Sequence, residues 1–591
     1  MNKKVWSIST TVRNPERLKD FLATLSEMDG RAWDGLAQME FQARLIKNRV
    51  YGFSNSQFYN GLDKNLIKLI DNPNNEISLD KAMEIFEAKN YEDPAMRGRT
   101  SFKPLEKIGL ATIENKFIKI TDLGRDFLLD KLDLGELYLK SFLKWQYPNP
   151  VDKEFADAKI YNIKPFIATL HLINEVNQIC KNKGLKAKGI SKLEFTIFAQ
   201  SLLDFTCLKT QAQNLIDFRT ELGKIKDYKK EQEFIDNYIN NFFADFQNAT
   251  FKNLKDYADN TIRYFRLTRL IYIRGGGYYI DLEPRRSVEI RNLLTSFNAT
   301  ADDFTKDEYK KYICDKNLPI LPWQDKQNEI LDNLKCEIKE LEKSLNLKET
   351  FVIQSDELES QITELRAYRG ELLNLILKAR FENLDNIDKV IEALKNINKL
   401  DIKPSIALEK YINLAFNIIN DAIKIKPNSL FGDDNEIIFT APANRPDIEC
   451  FYDGFNSICE VTILSGRNQW YNEGQPVMRH LREFENVSAK EDNYCIFIAP
   501  KIHRDTLNTF WIANKYEYEG KKQKIIPLNI AQIIEILTAV KTAKADKKMI
   551  SHIKFKNLLD FIIKDVEISQ NCDEWMAKIP VKILSYKESL I

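Results

Sequence analysis

The 591-residue chain has no CxxC pair, and its eight cysteines (180, 207, 314, 336, 450, 459, 495 and 572) stand with only four histidines. That shortage argues against a structural zinc site and, in a cytoplasmic protein, against a disulfide framework. No apolar run approaches the roughly 20 residues that a membrane span needs. The N-terminal MNKKVWSISTTVRNPERL lacks an apolar core of signal-peptide length. A cytoplasmic protein with no membrane partner is expected. An excess of one charge is also missing: 87 Lys and Arg face 86 Asp and Glu, for a formal net charge of +1. Any nucleic-acid surface must therefore be a local patch. Low-complexity tracts are absent. What remains is 44% hydrophobic and 29% charged residues, a composition for packed cores. The length predicts three or four domains.

The segment RGRTSFKPLEKIGLATIENKFIKITDLGRDFLLDKL, from Arg97 to Leu132, has a readable order. A helix carrying Phe102, Leu105 and Ile108 meets Gly109. LATIE and KFIKIT then alternate about Asn115-Lys116 as a short hairpin would, and Thr121 or Asp122 can cap the next helix. Helix, hairpin and helix in this order are the signature of a winged-helix unit, whose pre-wing helix enters the DNA major groove. Arg97, Arg99 and Lys103 lie at its start and are candidate DNA-binding residues.

The pattern recurs in NTIRYFRLTRLIYIRGGGYYIDLEPRRSVEIRNLL. A basic helix with Arg263, Arg266 and Arg269 precedes a hairpin around Gly275-Gly276-Gly277, where glycine supplies positive φ. A further helix is expected to begin near Pro284, with Arg285 and Arg286 at a wing edge. The stretch from Pro284 to Trp323 reads as loop-rich, ending in the extended connector Leu-Pro-Ile-Leu-Pro. Ile330, Leu334, Ile338, Leu341 and Leu345 then mark an amphipathic helix, paired with SQITELRAYRGELLNLILKAR.

In the C-terminal part, EKYINLAFNIINDAIKI predicts a helix carrying Glu409. IIFTAPANRPDIECFYDGFNSICEVTIL predicts three strands, with turns at Ala443–Pro446 and Asp453-Gly454. YCIFIAP predicts a buried strand and KIIPLNIAQIIEIL a strand then a helix, together an α/β domain. Asp447 begins one strand and Glu460 ends its neighbour, so the hairpin brings two carboxylates to one sheet edge. Like charges that close are unfavourable unless a cation lies between them. Mg²⁺ (or Mn²⁺) suits two carboxylates plus the Val461 carbonyl, and it could activate water against a phosphate. The alternative is that both acids are only solvated. A Pro-Asp followed at a distance by an acid before X-Lys is the outline of the PD-(D/E)XK nuclease site. The lysine position here is Thr462, and no lysine occurs between 427 and 489. Glu473 and His480 are seven apart on one face of a predicted helix. Glu473 could add a ligand or act on the water and His480 could move protons, although a lone helical histidine is more often a packing residue.

RPDIECFYDGFNSICEVT followed by EGQPVMRHL resembles the type IIS restriction and nicking endonucleases of the AlwI family. KWQYPNP (Lys144–Pro150), TIRYFRLTRLIYIRGG and YCIFIAP are similar too, so the resemblance spans about residues 95 to 530. It implies an N-terminal two-part DNA-binding region, a helical linker and a C-terminal nuclease domain that cuts a few bases outside a short asymmetric site. It implies Asp447 and Glu460 as metal-binding acids with the Val461 carbonyl, and Glu473 and His480 as the acid and histidine that follow. Glu409 matches an upstream helical glutamate. The family also lacks the usual lysine.

The expected architecture is therefore multidomain. Residues 1–150 and 151–290 form winged-helix-like recognition subdomains, 291–350 a helical linker, and 351–591 an α/β PD-(D/E)XK-like nuclease domain. The expected function is a site-specific, Mg²⁺-dependent endonuclease acting on double-stranded DNA. One active site cuts one strand, so double-strand cleavage needs a homodimer on DNA or a separate small catalytic subunit; otherwise the enzyme nicks. A companion DNA methyltransferase is expected. The rival readings are a DNA-binding regulator with a non-catalytic α/β domain and a structure-specific repair nuclease.

Overall fold

A computed structural model describes residues 3–8, 12, 15–50, 59, 61–71, 76–152, 155–225, 227–247, 249–274, 279–347, 351–381, 383–400, 404–419, 422–433, 437–439, 441 and 445–590. The chain divides into two compact units. The first comprises Met1–Ile70, Asn75–Cys336 and Ile353–Glu364; the second comprises Asp71–Asn74, Glu337–Val352 and Leu365–Ile591.

In the first unit, helix α1 (Gly35–Lys47) packs on α2 (Pro94–Ile108). Asp93 caps α2 by accepting from the Met96 amide, and Pro94 fits the first turn, where no N–H is needed. The two helices cross so closely that a Cβ on Gly98 would meet the Gln38 carbonyl oxygen at 2.1 Å. Next come β1 (Ala111–Glu114) and β2 (Phe117–Ile120), paired antiparallel. The linking residues Asn115 and Lys116 have φ of 50° and 71°, both positive as a type I′ turn demands. Thr121 then caps α3 (Asp122–Leu128), and α4 (Leu134–Lys144) and α5 (Pro165–Asn182) follow. Strand β3 (Ile190–Ser191), helix α6 (Phe251–Leu267), and strands β4 (Ile271–Arg274) and β5 (Tyr279–Leu282) form the second module, with sheet order β3-β5-β4. The expected glycine tip, Gly275–Gly277, lies outside the described residues.

Both modules share one aromatic core. Trp6 lies 5.9 Å from Trp145 and 6.2 Å from Phe265, ring centre to ring centre. Phe142 on α4 is 5.3 Å from Phe265 on α6, and Phe166 on α5 is 4.9 Å from it. All five rings are buried.

The loop-rich reading of 284–323 needs correction. The helix expected to begin near Pro284 is present as α7 (Ser287–Ser296), but α8 (Lys306–Cys314), opened by a capping box between Thr305 and Glu308, falls where loop was expected. Buried Lys144 donates to the Ile313 and Asp315 carbonyls at 2.9 and 2.7 Å, and burial pulls its ammonium down to about 8. That contact fastens the end of α8 beside α4. The amphipathic helix is α9 (Gln327–Ser344), which buries Ile330, Leu334 and Ile338. Helix α10 (Leu358–Arg380) pairs with it as expected: Arg369 reaches Glu337 at 3.2 Å and the Tyr368 hydroxyl reaches Glu342 at 3.0 Å.

In the second unit, α11 (Pro404–Ile419) precedes β6 (Lys424–Pro427), β7 (Leu430–Phe431) and β8 (Ile437–Phe439). Strand β9 (Ile448–Phe451) then pairs antiparallel with β10 (Asn456–Val461). Helix α12 (Arg467–Val487) crosses to β11 (Asn493–Ala499), and α13 (Arg504–Lys515) crosses to β12 (Ile525–Asn529). The five-stranded order is β12-β11-β10-β9-β6, parallel from β10 to β12. Every residue of β11 is buried, which explains its unbroken apolar run. Helices α14 (Ile530–Ala545), α15 (His552–Ile568) and α16 (Cys572–Leu590) close the core. Of the residues expected to end that helix, 420 and 421 lie outside the described residues, and Lys424 and Ile425 belong to β6. Ala443 and Asn444, placed at a turn, lie outside the described residues.

Candidate active site

The antiparallel ladder of β9 and β10 ends with Cys459 opposite Ile448. The next residues in that register are Glu460 and Asp447, so the two acids stand across from each other on one face. The Val461 amide donates to Asp447 Oδ2 at 2.7 Å. The Asp447 amide in turn donates to the Glu460 carboxylate.

Helix α12 runs beside this edge and contributes two side chains. His480 Nδ1 shares a hydrogen bond of 2.8 Å with Glu460 Oε1, and the two side chains are only 10% and 7% exposed. His480 Nε2 is buried and makes no hydrogen bond among the described residues. Glu473, two turns earlier, is hydrogen-bonded to the Thr462 hydroxyl. That oxygen also accepts from the Leu464 amide at 3.1 Å. Thr462, in the place where lysine was sought, therefore ties α12 to the end of β10. Proline at 476 does not interrupt the helix between the two.

Glu409 arrives from α11, buried to 5% exposure. Its Oε2 accepts from the Ser429 hydroxyl at 2.7 Å and from the Ala441 amide at 3.3 Å. Asn428 beside it donates Nδ2 to the Pro446 carbonyl and to Glu449, both at 2.8 Å, while its amide donates to the Asp447 carbonyl at 2.9 Å. Gln469, fully buried, donates to the Leu464 and Lys501 carbonyls at 2.9 and 2.8 Å and accepts from the His503 amide at 2.7 Å. It joins the loops after β10 and β11. Sequence reasoning missed Asn428, Ser429 and Gln469. Their only trace is polar residues in short connections between strands and helices, a common pattern.

Burial is the leading cause of the site's unusual acidities. It pushes the Asp447 carboxyl well above its ordinary value, with Glu409 and Glu460 adding repulsion. Glu460 is likewise raised by burial, then by Glu473 and Glu409. Burial lifts Glu473 to about 7 against the Thr462 hydrogen bond and His480. Burial also lowers His480, keeping the imidazole neutral, with Arg479 acting in the same sense.

This donor set is rich in carboxylate oxygen and short of cations, which suits a hard divalent ion. Among the described residues no three His, Cys, Asp or Glu side chains form a closed coordination group. Each acid is instead held by its own partner. Mg²⁺ is commonly bound through one or two carboxylates while keeping waters and substrate phosphate oxygens, and Asp447 and Glu460 could offer such a pair.

The expected DNA-binding cations are not gathered in this way. Arg97 is exposed and lies over the Tyr91 ring at 4.4 Å. Arg99 pairs with Asp93 at 2.7 Å, and Lys103 with Glu106 and Asp152 at 3.5 and 3.8 Å. Arg263 pairs with Asp259 at 2.5 Å and Arg269 with Asp133 at 3.2 Å, while Arg266 is half-buried. Arg286 is buried against Glu289 and Arg285 pairs with Glu283, so neither is presented as a free wing-edge cation.

A family model described as the AlwI restriction endonuclease matches residues 106–536. No curated protein matches the chain. Among solved structures, the small subunit of the heterodimeric restriction endonuclease R.BspD6I aligns with a TM-score of 0.29 and 20% identity, covering 33% of this chain and 98% of that one. A crystal structure of pyrene- and phenanthrene-modified DNA in complex with the BpuJ1 endonuclease binding domain aligns with a TM-score of 0.31 and 14% identity. It covers 54% of this chain and 96% of that one.

Proposed function

The chain belongs to the AlwI restriction endonuclease family, and on that premise we propose that it is a site-specific, Mg²⁺-dependent (or Mn²⁺-dependent) endonuclease that cuts DNA outside a short asymmetric sequence. The β9–β12 region serves as a PD-(D/E)XK-like nuclease domain, and the two helix–hairpin modules serve as winged-helix-like readers. In domain terms, 1–150 and 151–290 recognise DNA, 291–350 links, and 351–591 cleaves.

The observation that carries this reading is Asp447 facing Glu460 across the strand pair, with Glu460 bonded to His480 at 2.8 Å. A structural or sensory domain gains nothing from burying a cluster of mutually repelling carboxyls. Asp447 and Glu460, with the Val461 carbonyl, would hold the divalent ion. When bound, the ion neutralises charge at the scissile phosphate and acidifies a water. Glu473, raised to about 7, takes a proton from the attacking water near neutral pH. Thr462 fixes that carboxyl through its hydroxyl. His480 is oriented through Nδ1, which leaves Nε2 as a second proton acceptor. Glu409, held by Ser429, adds negative charge that favours cation binding.

Digestion of a plasmid with Mg²⁺, followed by run-off sequencing of both strands, tests the reading. Breaks at a constant offset from one short motif, lost in Glu460→Ala, are expected. The strand pattern distinguishes nicking from cleavage by a homodimer on DNA or with a separate small catalytic subunit. Protection by a companion DNA methyltransferase is expected at the same motif. Breaks that follow DNA shape instead of sequence would indicate a structure-specific nuclease. An intact plasmid that still shifts on a gel would indicate a regulator.

A further inference from the structure

Between Glu175 and Glu194 the sequence holds five lysines, at 181, 183, 186, 188 and 192, and no acidic residue. Between Asp259 and Asp281 it holds four arginines, again with no acidic residue. In a chain of net charge +1 these are pronounced local departures. The fold joins them, because Ile190 and Ser191 of β3 pair with Ile280 and Tyr279 of β5. The lysine-rich connection therefore feeds the edge of the second module's sheet.

The cations of the two stretches differ in availability. Arg263 and Arg269 already face Asp259 and Asp133. Lys181, Lys183 and Lys186 are exposed and have no carboxylate partner among the described residues. They are also presented from a fixed backbone. Helix α5 ends with the Gly184 amide donating to the Lys181 carbonyl at 3.0 Å and the Leu185 amide to the Cys180 carbonyl at 2.8 Å. Gly184 has φ 66°, so this is a Schellman end. At the other side, Gly189 has φ 70°, and a Cβ there would meet the Ile280 carbonyl oxygen at 2.1 Å. Asn177 accepts from the Gly189 amide at 2.8 Å and Arg219 donates to its carbonyl at 2.7 Å. Lys188 is drawn over the Tyr279 ring at 4.4 Å, which leaves the three preceding lysines as the solvent-facing charge.

We propose that Lys181, Lys183 and Lys186 form a phosphate-contacting surface that seats the backbone of duplex DNA beside the second hairpin. The proposal rests on the DNA reading above and adds residues to it. Lysine is a compact point charge without the fork geometry that reads guanine, so this surface positions the duplex and leaves base selection elsewhere. Because phosphate binding releases counterions, its contribution shows in the salt dependence of affinity and needs no knowledge of the recognition sequence.

The experiment is binding of a fluorescent duplex of arbitrary sequence in EDTA, across a salt titration. Three proteins are compared: wild type, Lys181→Gln/Lys183→Gln/Lys186→Gln, and the control Lys19→Gln/Lys81→Gln/Lys224→Gln. The control lysines are paired with Asp130, Glu84 and Glu221. The first triple should lower the slope of log affinity against log salt by about 2 to 3, roughly 0.9 per lysine, and weaken binding on the order of 10²-fold at physiological salt. The control should keep the wild-type slope, and Arg at the three positions should restore it. An unchanged slope in the first triple overturns the proposal. So does an equal loss in both triples, since net charge alone would explain it. A lost slope that Arg fails to restore also overturns it. If wild type binds no duplex at all, the DNA reading fails together with the proposal, before any variant is compared.

Discussion

His480 Nδ1 sits 2.8 Å from Glu460 Oε1, and seven residues earlier on the same helix Glu473 is bonded to Thr462. Strand positions 460 and 462 share one face by the two-residue alternation, and helix positions 473 and 480 share one by the helical repeat. Two side-chain bridges thus hold α12 on the end of β10. Deleting the imidazole leaves a buried carboxyl without its partner and removes a proton acceptor. His480→Ala should lower single-turnover cleavage by about 10² to 10³-fold, with DNA affinity in EDTA unchanged. Quench-flow with labelled plasmid measures the first and gel shift the second.

Thr462 provides a finer test of the second bridge. Thr462→Val keeps the shape and loses the hydroxyl, so Glu473 loses its anchor; a fall in kcat of about tenfold is expected, with little change in KM. Thr462→Ser should recover most of the rate. In a Glu473→Gln background Thr462→Val should cost almost nothing, because the hydroxyl acts through that carboxyl. Additive losses would remove Thr462 from this role.

The raised carboxyl of Glu473 links stability to pH with a definite sign. Its ordinary value is 4.5 and burial lifts it to about 7 in the fold, so between these values the folded protein keeps a proton that the unfolded chain releases. Stability of the metal-free protein should therefore fall as pH rises from about 4.5 to 7, then level off. His480 acts in the opposite sense, since its lowered value costs stability as pH drops below about 6.5. Tm measured from pH 5 to 8 should decline less in Glu473→Gln than in wild type. Added Mg²⁺ should raise Tm more at pH 8 than at pH 6, because the ion binds deprotonated ligands.

Asn428 holds the turn that delivers Asp447. Asn428→Ala removes the hydrogen bonds to the half-buried Pro446 carbonyl and to Glu449, which keeps Lys426 at 3.2 Å. A stability loss of about 1–3 kcal/mol is expected, along with weaker Mg²⁺ activation of cleavage. Urea melts and a metal titration of the cleavage rate report these separately.

Trp6 belongs to neither hairpin module in sequence, yet it lies against Trp145 and Phe265. Trp6→Ala should cost about 3–5 kcal/mol. Amide exchange should rise in β1–β2 and in β3–β5 together. Protection lost in one module alone would contradict a common core.

Features encoded locally were legible in the sequence. Asn115 and Lys116 were readable as a turn, Thr121 as a cap, and the carboxylates at 447 and 460 as neighbours, because turn chemistry and strand register act over a few residues. Helix α8 had its signal in Thr305 and Glu308, but the surrounding charges and prolines read as loop. Asn428, Ser429 and Gln469 left no usable signal, since their partners, Leu464 apart, lie 18 to 34 residues away along the chain. The arginines of the second hairpin stood out by charge, and only the fold shows that Asp259 and Asp133 already neutralise two of them. The less conspicuous lysines at 181, 183 and 186 have no carboxylate partner among the described residues.

The ring cluster around Phe265 also bears on how these enzymes can be re-engineered. Modules whose helices meet through one set of interlocking rings are not interchangeable parts. A hairpin borrowed from a relative would have to arrive with complements to Trp6, Trp145 and Phe142, or the other hairpin would shift with it. If the two modules read DNA as proposed, new sequence preference would be reached more readily by altering side chains on a kept scaffold than by exchanging modules.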